Sequence, residues 1–384
     1  MPVRNTNVNN LQRDTLRRIS NNSRASDIQK ELALLRIAYS EDSKLLTGYI
    51  NQLSNLRRIY PRFNPTQASG RVSTVDPPLT NFPRACVEPL CQDRLRRDIY
   101  GLDYLGYIEH SWTDQCWSMR DCVTCDPDEI LVTWDHDNIE GRIHDIIVND
   151  QRAILAHREG IDLHTITCCD MFNLPYPSEL KNPHTSPEDE AWRAEVKWQG
   201  KDTRMRVLAK NMNHGSKYTE TWKFVYTIKG IEQYGLSYDH LGELARRFIA
   251  SKGDAWERKC AIMSRIRREK EARSLYGFRR IFYNASVETG HEGFSHMISG
   301  TVSDYNNETL QLVESLIGKD CRLLHNAHDG DKVAVKRVWY TYHYDGSEEE
   351  RLGKLKADLT KLIERDINYE DRTLTMTAGV KIYA

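Results

Sequence analysis

Apolar and polar positions along this chain fall into segments whose spacing predicts their own elements. Residues 129–134, "EILVTW", form a short, largely apolar run of strand length, and Asp135 stands at its carboxyl end. The isoleucines that follow, Ile139, Ile143 and Ile146 or Ile147, recur at a spacing that keeps one helix face apolar. Strand, acidic residue and helix in succession present a carboxylate at a sheet edge. Far along the chain, "LLHNAHDGDKVAVKR" (323–337) sets two alternating runs around His328, Asp329 and Gly330. Asp-Gly between such runs predicts a hairpin, because Gly accepts the positive φ of a tight turn. Asp329 then stands at the corner of that hairpin.

The same reading predicts helices over 27–58, with Leu32, Leu35 and Ile37 and later Leu45, Leu46, Ile50 and Leu53 as apolar positions. Residues 61–84 are turn material rich in Pro, Gly, Ser and Thr, and an irregular segment with Trp and Cys runs to about residue 127. From 151 to 290 the pattern is mostly helical, broken by "NLPYPSELKNPHTSP" (173–187). A helix is expected over 304–317, another over "RLGKLKADLTKLIERD" (351–366), and a terminal strand over "TLTMTAGVKIYA" (373–384).

Composition narrows the class. With 384 residues, 39% hydrophobic and 28% charged, the chain has room for two or three packed subdomains of ordinary globular type. No apolar run reaches the roughly 18 residues that span a bilayer, and "MPVRNTNVNN" lacks the apolar core of a secretory signal, so an intracellular protein without a membrane partner is expected. The first 30 residues, rich in Arg, Asn and Ser, weakly resemble an organellar transit peptide. Nine cysteines, an odd number, argue for reduced thiols; Cys122 and Cys125 have knuckle spacing and read as a zinc pair or as free thiols. Net charge is only -1, yet residues 1–84 hold thirteen Lys and Arg against six acids, and 258–280 nine against two. Each block is +7, which suits a phosphate backbone or a solvated helix face.

Asp135 and Asp329, meeting across adjacent strands, would form an oxygen-rich site for a hard divalent cation such as Mg²⁺. In "RVLAKNMNHGSKY", Arg206, Lys210, His214 and Tyr218 recur at every fourth position and predict one stripe on a helix. Three potential cations followed by an aromatic suit a triphosphate with a base stacked beyond it. A lone basic stripe is also what a solvated face looks like. Gly215 within that stripe predicts close approach by something bulky.

These motifs together resemble the family A DNA polymerases, of the bacterial DNA polymerase I type. "WDHDNIEGRI" (134–143) is similar to the family's first carboxylate motif, "REGIDLHTITCCDMF" (158–172) to the segment beyond it, with Asp162, His164 and Thr165, and "NAHDG" (326–330) to its second carboxylate motif. The stripe is similar to the family's nucleotide-binding helix, and "RIYPRFNPTQASGRVSTVDPPLTNFP" (58–83) resembles its primer-template segment, with Arg71, Ser73, Pro77, Leu79, Asn81 and Pro83. Motifs in the family's order over 58–335 are far more specific than any one alone.

The resemblance implies an α+β, right-hand polymerase with an antiparallel palm sheet, helical fingers and a thumb reduced or absent. The implied segments are 1–60 as a thumb remnant, 61–150 and 291–384 as the palm, and 151–290 as the fingers. It implies a DNA-directed DNA polymerase using two Mg²⁺, with Mn²⁺ as a substitute, held by Asp135, Asp329 and the backbone carbonyl of His136. Lys210 would serve the leaving group, and Arg206, Lys210, His214, Tyr218, Glu140 and His164 the nucleotide, with Glu140 excluding a ribose 2′-hydroxyl. Arg71, Asn81 and His328 would touch the DNA. Expected partners are a DNA primer-template, dNTPs and a separate exonuclease, thumb or processivity subunit, since the short leading segment leaves no room for an exonuclease domain. The expected location is cytoplasmic, with the nucleoid or viral DNA. Departures from the family are Gly330 after His328-Asp329, His214 at mid-stripe, Thr219 after Tyr218 and Ser299 in "SGTVSD" (299–304). A non-catalytic or split-polymerase DNA-binding subunit, and a single-subunit RNA polymerase, are the alternative readings.

Overall fold

The structure is a computed structural model and describes residues 13–20, 25–53, 56, 59, 62–64, 73–75, 79, 124–177, 193–194, 204–228, 236–326 and 330–384. It divides into two compact units, residues 1–63 with 74–124, and residues 64–73 with 125–384. Among the described residues no helix is long and apolar enough to cross a membrane.

In the first unit, α1 (Arg13–Ser20) packs on α2 (Asp27–Leu45), which continues through a π-helical turn, Leu46–Ile50, into Asn51–Leu53. Tyr49 and Leu79 are buried there against Leu53 and Ile59. Two three-residue strands follow, β1 (Arg62–Asn64) and β2 (Ser73–Val75).

The second unit is built on an antiparallel sheet of β3 (Glu129–His136), β6 (Cys321–Asn326), β7 (Gly330–Lys336) and β10 (Ala378–Tyr383), in the order β10-β3-β7-β6. Strand side chains alternate between faces. Ile130, Val132 and Trp134 accordingly bury one face of β3 against Val333, Val335, Val380 and the apolar side of α11 (Glu348–Ile363), at Leu355, Leu359 and Ile363. Asp135 falls on the other face and is exposed.

Helices α3 (Ile139–Val148), α4 (Gln151–Glu159), α5 (Leu163–Phe172), α6 (Arg204–Gly215), α7 (Tyr238–Lys252) and α8 (Asp254–Glu269) follow β3, with 3₁₀ turns at Ser216–Tyr218 and Trp222–Thr227. One core joins the isoleucines of α3 to Met263 and Ile266 of α8 and to the first half of α9 (Val287–Ile317). A second core joins Cys168 and Met171 of α5, Leu208 and Met212 of α6, Phe224, and Leu244 and Phe248 of α7.

Several elements differ from the sequence expectation, each for a local reason. The strand expected over 129–134 runs to His136, so Asp135 lies within the ladder rather than past its end. The helix expected over 304–317 starts at Val287 and is 31 residues long; Ser286 and Thr289 form its capping box. Its glycines obscured it: a Cβ on Gly293 would collide with Ile266 Cγ2, so they serve close helix packing rather than a break. Within the stretch expected to be helical, β4 (Glu271–Arg273) and β5 (Arg279–Ile281) form a hairpin, entered where Lys270 ends α8 at φ 55°. The expected terminal strand is two: β9 (Arg372–Thr375) pairs with β8 (Asp366–Tyr369), and β10 pairs with β3. A short helix, α10 (Arg337–His343), follows β7 directly.

Candidate functional site

Asp135 occupies an inner strand, and its register partner is a glycine on both sides: Gly379 of β10 and Gly330 of β7. Cross-strand neighbours normally stand about 5 Å apart and crowd each other. Here neither neighbour has a side chain, and a Cβ on Gly379 would meet nothing within 4 Å. The exposed carboxylate therefore stands on the sheet with no side chain at either cross-strand position beside it. On the β7 side the backbones approach closely, since a Cβ on Gly330 would run into the Trp134 carbonyl oxygen. That contact explains why an acidic residue cannot follow His328-Asp329 in this chain. His136 is buried, its ring edge-on to Tyr305 at 5.2 Å.

Asn138, in the left-handed region at φ 49°, turns the chain from β3 into α3 and brings Glu140 into the first helical turn. Tyr218 donates its hydroxyl to Glu140 Oε2 at 3.4 Å, joining α3 to the end of α6. Buried Arg142 braces the same corner by donating to the Asp137 carbonyl at 3.0 Å and the Thr375 carbonyl at 2.9 Å.

The stripe is less uniform than its spacing implied. α6 ends at Gly215, where a Cβ would stand 3.4 Å from the Phe224 ring, and Tyr218 sits on the 3₁₀ turn beyond. Arg206 is 7% exposed and pairs twice with Asp162, Nε to Oδ2 at 2.7 Å and Nη2 to Oδ1 at 2.9 Å. Burial pushes the Asp162 carboxyl up, but Arg206 and the Thr165 hydroxyl outweigh it and hold it below the usual range. Lys210 is exposed and, among the described residues, makes no ion pair. His214 is not a cation at neutral pH: desolvation, helped by Lys217 and Lys210, pulls it down to about 4. His164 is likewise depressed by burial; its Nδ1 accepts from Asn213 Nδ2 at 3.2 Å, and its ring lies 5.7 Å from that of His214.

The structure thus brings Glu140 and Tyr218 together, and places His164 against His214 and Asn213 on helices packed side by side. Asp329, His328, Arg71, Asn81 and Cys122 lie outside the described residues. Among the described residues no three His, Cys, Asp or Glu converge on a metal position, and Cys125 is in no disulfide. Hard-cation chemistry fits Asp135, an exposed oxygen donor in an uncrowded position. Sequence reasoning missed Lys217, buried at 5%, and Asp145, whose oxygens accept from His144 Nδ1 at 2.7 Å and His157 Nε2 at 2.9 Å. The signal was there for Asp145, an acid set among isoleucines in "IHDIIV" (143–148). Lys217 was hidden because a lysine beside a basic stripe reads as solvated.

An antiparallel sheet that offers an aspartate from an inner strand, beside helices carrying a basic stripe, has the palm-and-fingers architecture of the right-hand polymerases. The model of DNA polymerase family A matches residues 5–184 of the chain. It is similar to the thermostable DNA polymerase I of Thermus thermophilus, 28% identical over 309 residues, covering 76% of this chain and 30% of the relative. The enzyme of Thermus aquaticus is 27% identical over the same shares, and DNA polymerase I of Geobacillus stearothermophilus 26% identical over 56% of this chain and 19% of its own. The chain thus spans under a third of the length of these curated relatives. Its fold matches the POL domain of Pol1 from M. smegmatis, solved in complex with DNA primer-template and dNTP, at TM-score 0.65 and 17% identity over 100% of this chain and 57% of that one.

Proposed function

We propose that this chain is a DNA-directed DNA polymerase that adds dNTPs to the 3′-hydroxyl of a primer on a DNA template, acting where nucleoid or viral DNA lies. The observation that carries the reading is the clearing around Asp135: an exposed carboxylate on an inner strand, flanked by Gly330 and Gly379. Such a position suits charge chemistry at a sheet surface.

Divalent cations, Mg²⁺ in first place and Mn²⁺ as a substitute, would be held by Asp135, Asp329 and the backbone carbonyl of His136, supplying Lewis acidity to the primer hydroxyl and neutralising the leaving pyrophosphate. The remaining steps belong to the chain itself. Lys210, exposed on α6, donates a charge-assisted hydrogen bond and a proton to the leaving group. Arg206 faces the triphosphate with its guanidinium already oriented by Asp162. His164 and His214, both neutral, bind phosphate or sugar as hydrogen-bond donors rather than as charges. Glu140, held by Tyr218, occupies the position where a 2′-hydroxyl would sit, and Tyr218 packs near the templating base. Arg71, Asn81 and His328 contact the primer-template. Residues 61–150 and 291–384 act as the palm, 151–290 as the fingers and 1–60 as a thumb remnant.

The test is extension of a labelled DNA primer with Mg²⁺ and either dNTPs or rNTPs, with wild type beside Asp135→Ala. Extension by dNTPs alone, lost in the variant, is expected. Undiminished extension by Asp135→Ala would refute the reading.

A further inference from the structure

The basic block at 258–280 reads from the sequence as a surface, yet two of its cations reach back into the fold. Lys259 of α8, 2% exposed, donates to the Ser216 carbonyl at 2.7 Å. Arg267, about 12 Å further along the same helix, forks onto Glu220: Nη2 donates to Oε1 at 3.0 Å and Nη1 donates to Oε2. A two-pronged pair of this kind fixes direction as well as distance. His291 of α9 stands 3.7 Å from the same carboxylate.

The fold makes room for the fork. A Cβ on Gly290 of α9 would stand 3.0 Å from Arg267 Nη1 and 3.1 Å from the Met263 carbonyl oxygen, so a side chain there would press on the guanidinium and on backbone at once. The side chains of Arg267 and Glu220 are 24% and 20% exposed, and water therefore screens the pair only in part.

Between the two ties lies Tyr218. Ser216–Tyr218 is a single 3₁₀ turn, and Thr219 and Thr221 beyond it are extended, at φ -145° and -125°. Such a stretch lacks the repeating bonds that fix an α-helix, so side chains reaching it from elsewhere decide where it stands. Tyr218 in turn packs against the core of α3 and α8 and donates its hydroxyl to Glu140 Oε2. A continuous chain of contacts thus joins Arg267 to Glu140 through Glu220, the backbone beside it and Tyr218.

We infer that Arg267 is a specificity-determining positioning residue: through Glu220 it sets where Tyr218 stands, and so how firmly Glu140 is held against a ribose 2′-hydroxyl. The inference rests on the proposed part of Glu140 in sugar selection. Loss of the fork leaves Tyr218 and Glu140 present but lets them give way, so ribonucleotides gain while dNTPs lose little. A pair that served only stability would lower the insertion of both sugars alike.

The test is single-nucleotide insertion of paired dNTP and rNTP by the full chain, giving kcat/KM for each sugar. Wild type is compared with Glu140→Ala, Glu220→Gln, Arg267→Gln and Tyr218→Phe, with folding checked by circular dichroism. Glu220→Gln and Arg267→Gln should each lower the preference for dNTP by about threefold or more, the worth of one ordinary hydrogen bond. Arg267→Lys, which keeps the charge without the fork, serves where Arg267→Gln does not fold. In a Tyr218→Phe background Arg267→Gln should add little, because the chain of contacts is already cut. A full additive effect there overturns the inference. An unchanged preference in the Arg267 and Glu220 variants, beside a Glu140→Ala that shifts it, overturns the inference and leaves the polymerase reading standing. An unchanged preference in Glu140→Ala removes the role on which the inference rests and overturns it too, and no insertion of either sugar by wild type overturns both.

Discussion

Arg206 and Asp162 join α6 to α5 through two parallel contacts at 2.7 and 2.9 Å, with Arg206 only 7% exposed. A fork of this kind fixes orientation as well as distance. The residue that spacing alone would assign to phosphate is therefore first a positioning residue for the helix that carries the others.

Arg206→Ala should strand a half-buried carboxylate and cost about 3 kcal/mol of stability. Lys210→Ala, at an exposed position, should change stability by under about 0.5 kcal/mol while impairing extension. Denaturant unfolding of the two variants separates these roles; equal midpoints would show that the pair does not hold α6.

Gly330→Ala drives a Cβ into the Trp134 carbonyl and against Asp135 Cα. A loss of more than about 3 kcal/mol is expected, because backbone cannot step aside as a side-chain end can. Gly379→Ala, where the same atom meets open space, should be mild. If both variants unfold at the wild-type temperature, the close strand approach is wrong.

Glu140→Ala should raise ribonucleotide incorporation, and Tyr218→Phe should do so more weakly, since it removes only the 3.4 Å contact that steadies the carboxylate. Single-nucleotide insertion of paired dNTP and rNTP substrates reads this directly. Unchanged sugar preference in both variants would take Glu140 out of the selection.

Lys259 gives a pH dependence with a definite sign. It is 2% exposed, donates to the Ser216 carbonyl at 2.7 Å and lies over the Trp256 ring, and desolvation pulls its ammonium down to about 7. Between pH 7 and the ordinary lysine range the unfolded chain binds the extra proton, so stability must rise with pH across that window. The neutral amine keeps its hydrogen bond to Ser216. Thermal unfolding at pH 7 to 10 should show a gain of a few kcal/mol in wild type that Lys259→Met lacks. Parallel pH profiles would contradict the buried charge.

Much of this was legible in the chain because local pattern and tertiary role agreed. The apolar run at 129–134, the isoleucines after it and the alternation around 323–337 gave β3, α3 and the β6–β7 pair, and hence the strand that holds Asp135. The long helix α9 was not legible before residue 304, since Gly290, Gly293 and Gly300 look like breaks until the helix they admit is known. Nor could spacing tell that the guanidinium of Arg206 is held by Asp162. Lys217 shows the same limit: only the fold decides whether a lysine is solvated or enclosed.

α9 runs 31 residues, about 46 Å. Phe294, Met297, Ile298, Val302 and Tyr305 belong to the core beneath α3 and α8, while Val313 and Ile317 belong to the core beneath the sheet. One rod is thus shared by two hydrophobic clusters, and Tyr305 pins its middle by donating to the Ile363 carbonyl at 2.7 Å. Neither cluster can open without bending the other's wall. Amide protons in the turns around Tyr305 and Thr309 should accordingly exchange only when both clusters open together, and so be among the slowest in the chain.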